Sequence, residues 1–205
     1  MQWIVPGLIE QDRWWPQKPV CYQSIAGILQ NAAQEMRERH PKARYFVEKS
    51  PPNMVRHRRL VELFEDRKIL VNNRDPYANI SSQLSRYTDT HYRDLTRADT
   101  IAHLAEMWLL RSQYLVEIAD TYDAPILTYE TFCENPEKIL TDLSLEDVPD
   151  LVGPVRVEVK DYDAQGISNM NARQVAQLSD ADISIISKVI STRPDLLDKF
   201  GYRLA

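Results

Sequence analysis

The chain has 205 residues, 43% of them apolar, and a formal net charge of −5. That is enough for one substantial core, and it argues against a duplex-binding face or a membrane-bound polybasic face, since either needs a positive field over a wide area. Twelve prolines against five glycines count against a glycine-rich phosphate cradle, in which glycine lets the backbone approach closely.

No run of about 18 apolar residues occurs, and "MQWIVPGLIEQDRWW" lacks the basic-then-apolar pattern of a signal peptide, so a soluble, cytoplasmic protein is expected. Cys21 and Cys133 lie far apart and form no metal or redox spacing, which predicts reduced structural thiols. Without a repeat or an obvious linker, one domain over 1–205 is expected. Its parts are a helical segment at 1–43, an α/β core at 44–140 and a mostly helical segment at 141–205.

In chain order, Ile25, Ile28, Leu29 and Ala32 recur at helical spacing, predicting a helix over 20–39 that stops at Pro41. "ARYFVE", ending at Glu48, predicts a short buried strand. Pro51 and Pro52 then forbid its continuation, and Asn53 is placed to cap a helix with Val55, Leu60, Leu63 and Phe64 on its buried face. "KILVN" predicts a second strand. Asp75 followed by Pro76 is a strong helix start, because aspartate accepts from orphan amides and proline fits the first helical position. A long helix is expected from about Asp99 to Tyr122, with Ile101, Leu104, Trp108, Leu115 and Ile118 on one stripe. "APILTYE" predicts a third strand and "TFCENPEKILTDL" a helix. An irregular stretch, the helical "LSDADISIISKVIS" and a short ending follow.

Strands alternating with helices predict an α/β fold, a parallel sheet flanked by helices, with ligands beyond the C-terminal strand ends. Those ends carry Glu48-Lys49-Ser50, Asn73-Arg74-Asp75 and Tyr129-Glu130. Ser82 lies six residues beyond Pro76, about 9 Å along the helix, so Arg74 and Ser82 can share a phosphate beside the helix start. The bland alternative is an arginine paired with a carboxylate and serines on a helix surface. Lys49 is either a cation for charge developing on a leaving group or a solvated lysine. Tyr129 either stacks on or hydrogen-bonds a base, or simply packs. Arg111 falls on the apolar stripe and has to snorkel, pair or reach a ligand. Trp3, Trp14 and Trp15 either wall an acceptor pocket or pack near the terminus. His40, His57, His91 and His103 show no metal spacing and read as structural or surface residues. A kinase catalytic loop is rejected, because Asn79 follows Asp75 by four positions rather than five and no Asp-Phe-Gly occurs.

Together these segments resemble the sulfotransferase family that uses 3'-phosphoadenosine 5'-phosphosulfate (PAPS). "YFVEKSPPNMVR" is similar to its Glu-Lys-(Ser/Thr)-Pro segment, and "ILVNNRDPYANISSQ" to its 3'-phosphate strand-turn-helix, with arginine and serine eight apart. "ILTYETFCENPEKIL" resembles its Tyr-Glu-Asp-Phe segment, and "LLDKFGY" its Gly-Tyr ending. The resemblance implies that Arg74 and Ser82 hold the 3'-phosphate, that Tyr129 contacts adenine and that Lys49, as the catalytic residue, lies near the transferring sulfonate. It also implies cofactor contacts from Lys160–Asn171, and PAPS as donor to a hydroxyl or amine of a small-molecule or glycan acceptor. No nucleic acid or membrane partner is expected.

The sequence departs from the family in lacking the Pro-x-Ser-Gly-Thr-Thr loop that holds the 5'-phosphosulfate, and the usual base has no counterpart. The fold is therefore expected to miss its first strand and loop. Three readings follow: a truncated enzyme, a divergent enzyme with a replacement loop, or a non-catalytic adenosine 3',5'-bisphosphate-binding or protein-interaction domain. A chain without that strand has ladder edges to cover and is expected to be dimeric, rearranged or fragile.

Overall fold

The computed structural model describes residues 22–41, 45, 47, 49, 51–62, 64, 66–145 and 167–205. Cys21, Glu48, the three N-terminal tryptophans and most of Lys160–Asn171 lie outside these. The chain divides into two compact units, residues 1–68 and 69–205.

In the first unit, α1 (Tyr22–Arg39) follows the predicted helix and packs on α2 (His57–Val61). Between them the two prolines open a 3-10 turn, Pro51–Val55, since proline is tolerated in a first helical turn. The expected cap at Asn53 is thereby corrected: its carbonyl accepts from Arg56 N–H inside that turn, and the next helix starts after Arg56. Arg56 and His57 are buried, whereas Val55, Leu60 and Phe64 are half-buried. The buried strand expected at 44–48 is corrected at the residues described there. Val47 is 78% exposed, Tyr45 is exposed too, and neither joins a ladder among the described residues. Apolar character alone cannot bury a strand that has no neighbour.

The second unit is built on α4 (Arg97–Tyr122), after α3 (Pro76–His91). Shorter helices follow: α5 (Tyr129–Glu134), α6 (Lys138–Asp142), α7 (Asn171–Val175), α8 (Asp180–Ile190) and α9 (Pro194–Phe200). The predicted stripe of α4 is buried throughout, and α4 packs against α3, α8 and α9 while α3 also meets α7. Ile80, Ile186 and Leu196 are buried residues of the three helices that pack on α4. Gly201, at φ +73°, closes α9 in the left-handed conformation, and Tyr202 N–H returns to the Leu197 carbonyl at 2.9 Å.

The two strands expected at 68–72 and 124–130 are represented, among the described residues, by one parallel bridge between Val71 and Ile126. Val71 N–H donates to the Pro125 carbonyl at 3.0 Å, Leu127 N–H to Val71 at 2.9 Å, and Tyr129 N–H to Asn73 at 2.8 Å. The extended stretch is short for local reasons. Pro125 has no N–H to give, and Thr128 caps α5 by accepting from Thr131 N–H, so the chain turns helical where the sequence reads a continuing strand. Tyr129 therefore opens a helix instead of ending a strand.

Asp182 joins α8 to α4. It closes a capping box with Ser179, and it receives Arg97 Nε at 3.1 Å and Nη2 at 2.8 Å. Arg97's hydrogen bonds, and those of Ser179, hold the Asp182 carboxyl down at about 2, below its ordinary 3.8. A carboxyl depressed on folding stabilises above its unfolded value and loses that contribution as pH falls through the folded one. In urea unfolding, the stability gap between wild type and Asp182→Asn is expected to be constant above about pH 4 and to close towards pH 2. A gap independent of pH would show that the ion pair contributes nothing.

Candidate functional site

The tip of the bridge is fixed by its two asparagines. Asn72 Nδ2 donates to the Leu127 carbonyl at 2.6 Å, and buried Asn73 donates to Ser112 Oγ on α4 at 2.9 Å while its Oδ1 accepts Arg74 N–H. Trp108 Nε1, also on α4, donates to the Arg74 carbonyl at 3.0 Å. Asp75 then caps α3, its carboxylate accepting from Ala78 N–H at 2.8 Å. Burial pushes the Asp75 carboxyl up, the cap bond opposes this, and nearby Glu130 adds to it. The backbone around Arg74 is thus held on both sides.

The guanidinium of Arg74 lies over the Tyr129 ring, 4.1 Å from its centroid, within cation–π range. Its Nε donates to Asn171 Oδ1 at 2.8 Å, while Nη2 is buried with no hydrogen-bond partner among the described residues. A buried charged donor without an acceptor is costly, and this one is available to an anionic or polar ligand. Tyr129 is fixed as well: its hydroxyl donates to the Ser168 carbonyl at 3.0 Å and accepts from Met170 N–H at 3.1 Å. Burial pushes the phenol up, so it stays protonated for that donation. Cys133 on the same short helix is also pushed up by burial, which keeps it a thiol rather than a nucleophilic thiolate.

Glu130 gathers the surrounding donors. Its Oε1 accepts from Asp75 N–H at 3.0 Å and from Asn171 Nδ2 at 2.5 Å, and its Oε2 accepts from Tyr202 OH at 2.9 Å. Burial, with the neighbouring carboxylates, pushes the Tyr202 phenol far up, so it stays protonated for its donation to Glu130.

The structure brings Arg74 and Tyr129 into one cluster. Ser82 is half-buried two turns along α3, and no hydrogen bond from its hydroxyl is made among the described residues. Its neighbour Ser81 is buried and donates to the Gln174 carbonyl at 2.6 Å, a packing role. Lys49 is exposed and belongs to the first unit. Arg111 pairs, its Nη1 reaching Gln83 Oε1 at 3.2 Å. His103 packs on Tyr92, and no cluster able to hold a metal exists among the described residues.

The model of the sulfotransferase family matches residues 14–144, more than half of the chain. The chain belongs to the sulfotransferase family. No curated protein and no solved structure matches it. The span shared with other sulfotransferases contains Lys49, Arg74, Ser82 and Tyr129 and ends before Asn171 and Tyr202, so part of the Arg74 cluster comes from outside it. Asn171 is the residue sequence reasoning missed. It stands at the end of a stretch expected to reach the cofactor, yet nothing in "GISNMNARQ" singles it out from Asn169. Glu130 was visible only as a strand-end neighbour of Tyr129, and Tyr202 only as the aromatic of the Gly-Tyr ending.

Proposed function

We propose that this sulfotransferase-family chain binds PAPS and its product adenosine 3',5'-bisphosphate, with Arg74 on the 3'-phosphate, in support of sulfonate transfer to a hydroxyl or amine of a small-molecule or glycan acceptor. The observation that carries the reading is Arg74 Nη2, a buried cationic donor with no partner among the described residues, at the start of a capped helix whose dipole also favours an anion. Ser82, with its uncommitted hydroxyl, is the second ligand of that phosphate. Tyr129 meets adenine through its ring, because its hydroxyl is already committed to Ser168 and Met170. When bound, PAPS supplies a sulfonate on a mixed anhydride. The chain's part is positioning and charge neutralisation, the latter a role that the family resemblance alone gives to Lys49. The α/β frame with a parallel sheet, of which the Val71–Ile126 bridge would be one rung, and a cytoplasmic location belong to the same reading.

A second reading is binding without transfer, since the observation on Arg74 speaks to phosphate binding alone. Calorimetric titration with adenosine 3',5'-bisphosphate and with adenosine 5'-monophosphate tests what both readings share. The bisphosphate is expected to bind at least about tenfold more tightly, the worth of one charge-assisted contact. Equal affinity, or no binding, would sink both. Transfer from labelled PAPS to a panel of hydroxylated and amino acceptors then separates enzyme from binder.

A further inference from the structure

We propose that Asn171 is a positioning residue of the Arg74 site: its side-chain amide sets the direction of the guanidinium and holds the Glu130 carboxylate off it. This rests on the reading of Arg74 as the phosphate contact and adds what keeps that cation aimed, with no carboxylate on its fork among the described residues.

A guanidinium only donates and a carboxylate only accepts, so an amide between them has one orientation that satisfies both. Asn171 has that orientation, with Oδ1 on Arg74 Nε at 2.8 Å and Nδ2 on Glu130 Oε1 at 2.5 Å. Two other arginines in the same unit show what happens without a spacer. Arg97 places both Nε and Nη2 on Asp182, and Arg193 places both on Asp195. Each fork is thereby filled and its charge matched by a carboxylate. At Arg74 the amide takes Nε alone, so Nη2 on the same edge stays unfilled and buried. The neutral amide fixes the fork without neutralising it.

Glu130 is kept from swinging onto Arg74 by its other donors, Asp75 N–H and Tyr202 OH. The Tyr129 ring lies against the guanidinium, 4.1 Å from its centroid to Cζ. Hydrogen-bond donation therefore converges on Glu130, from Arg74 through Asn171 on one side and from Tyr202 of the C-terminal segment on the other.

The test is a double-mutant cycle read by calorimetry with adenosine 3',5'-bisphosphate and adenosine 5'-monophosphate, using the full chain. Asn171→Ala is expected to weaken the bisphosphate about tenfold and the monophosphate hardly at all, and in the Arg74→Ala background to have no further effect. Asn171→Asp, which puts a carboxylate on the guanidinium, is expected to weaken the bisphosphate more than Asn171→Ala does, and it serves also if the alanine variant fails to fold. Losses that add to those of Arg74→Ala, unchanged affinity in either single variant, or tighter binding by Asn171→Ala would each overturn the proposal. If Arg74→Ala itself leaves bisphosphate binding unchanged, the reading of Arg74 fails. If Arg74→Ala weakens it and the Asn171 variants do not, the positioning role alone fails.

Discussion

Arg74→Ala is expected to weaken adenosine 3',5'-bisphosphate binding by at least about 1.5 kcal/mol, more than tenfold, while the protein stays folded. Affinity falls because the substitution removes a cation of the cluster and its buried Nη2, which no described residue fills. Stability survives because what Arg74 gives the fold comes from its backbone. Its carbonyl accepts from Trp108, its N–H donates to Asn73, and the neighbouring Asp75 caps α3. All three remain in the alanine variant. Removing a buried donor without an acceptor also relieves a desolvation cost, which offsets the lost cation–π contact with Tyr129 and the lost bond to Asn171. Arg74→Lys keeps the charge but not the planar fork, so an intermediate loss is expected. Titration calorimetry beside thermal melts measures both quantities. Wild-type affinity in the alanine variant, with the fold intact, would remove Arg74 from the site.

The parts of the molecule that were legible in the sequence are those fixed by local rules. Asp75-Pro76 starts a helix because capping and the proline ring act within one turn. The stripe from Ile101 to Ile118 is buried because a period of 3.6 puts those side chains on one face over about five turns. Where two local signals competed, the reading erred. "APILTYE" carries both β-branched character and a threonine cap, and the cap wins at Thr128 because it satisfies an orphan N–H. Pro51-Pro52 reads as a breaker, yet proline is also compatible with a first turn, which is the role it takes. The site was half legible. Arg74 and Tyr129 were found from their places after two apolar runs, and the fold sets them 4.1 Å apart. Asn171, 97 positions from Arg74, was not, because a single polar contact over that separation leaves no periodicity or spacing in the chain.

Trp108→Ala is expected to lower unfolding stability by about 3–5 kcal/mol, the usual cost of deleting a buried aromatic side chain. Trp108 is buried in the middle of the α4 stripe, and its ring tilts against Tyr202 at a centroid separation of 6.2 Å. It also does something that Leu104, equally buried on the same helix, does not: its Nε1 holds the Arg74 carbonyl. The two residues should therefore separate packing from site geometry. Leu104→Ala is expected to cost about 2–5 kcal/mol of stability and to leave bisphosphate affinity, measured well below the melting transition, unchanged. Trp108→Phe keeps most of the buried ring but leaves the carbonyl without its donor, a cost of about 1–3 kcal/mol. Because that carbonyl is part of the backbone that aims the Arg74 side chain, Trp108→Phe is expected to weaken the bisphosphate several-fold despite being the milder of the two for stability. Urea unfolding and calorimetry on the same samples decide the matter. If affinity follows stability across both variants, the bond from α4 to the bridge tip is packing alone, and the rigidity of the site has to come from the asparagines and the Asp75 cap.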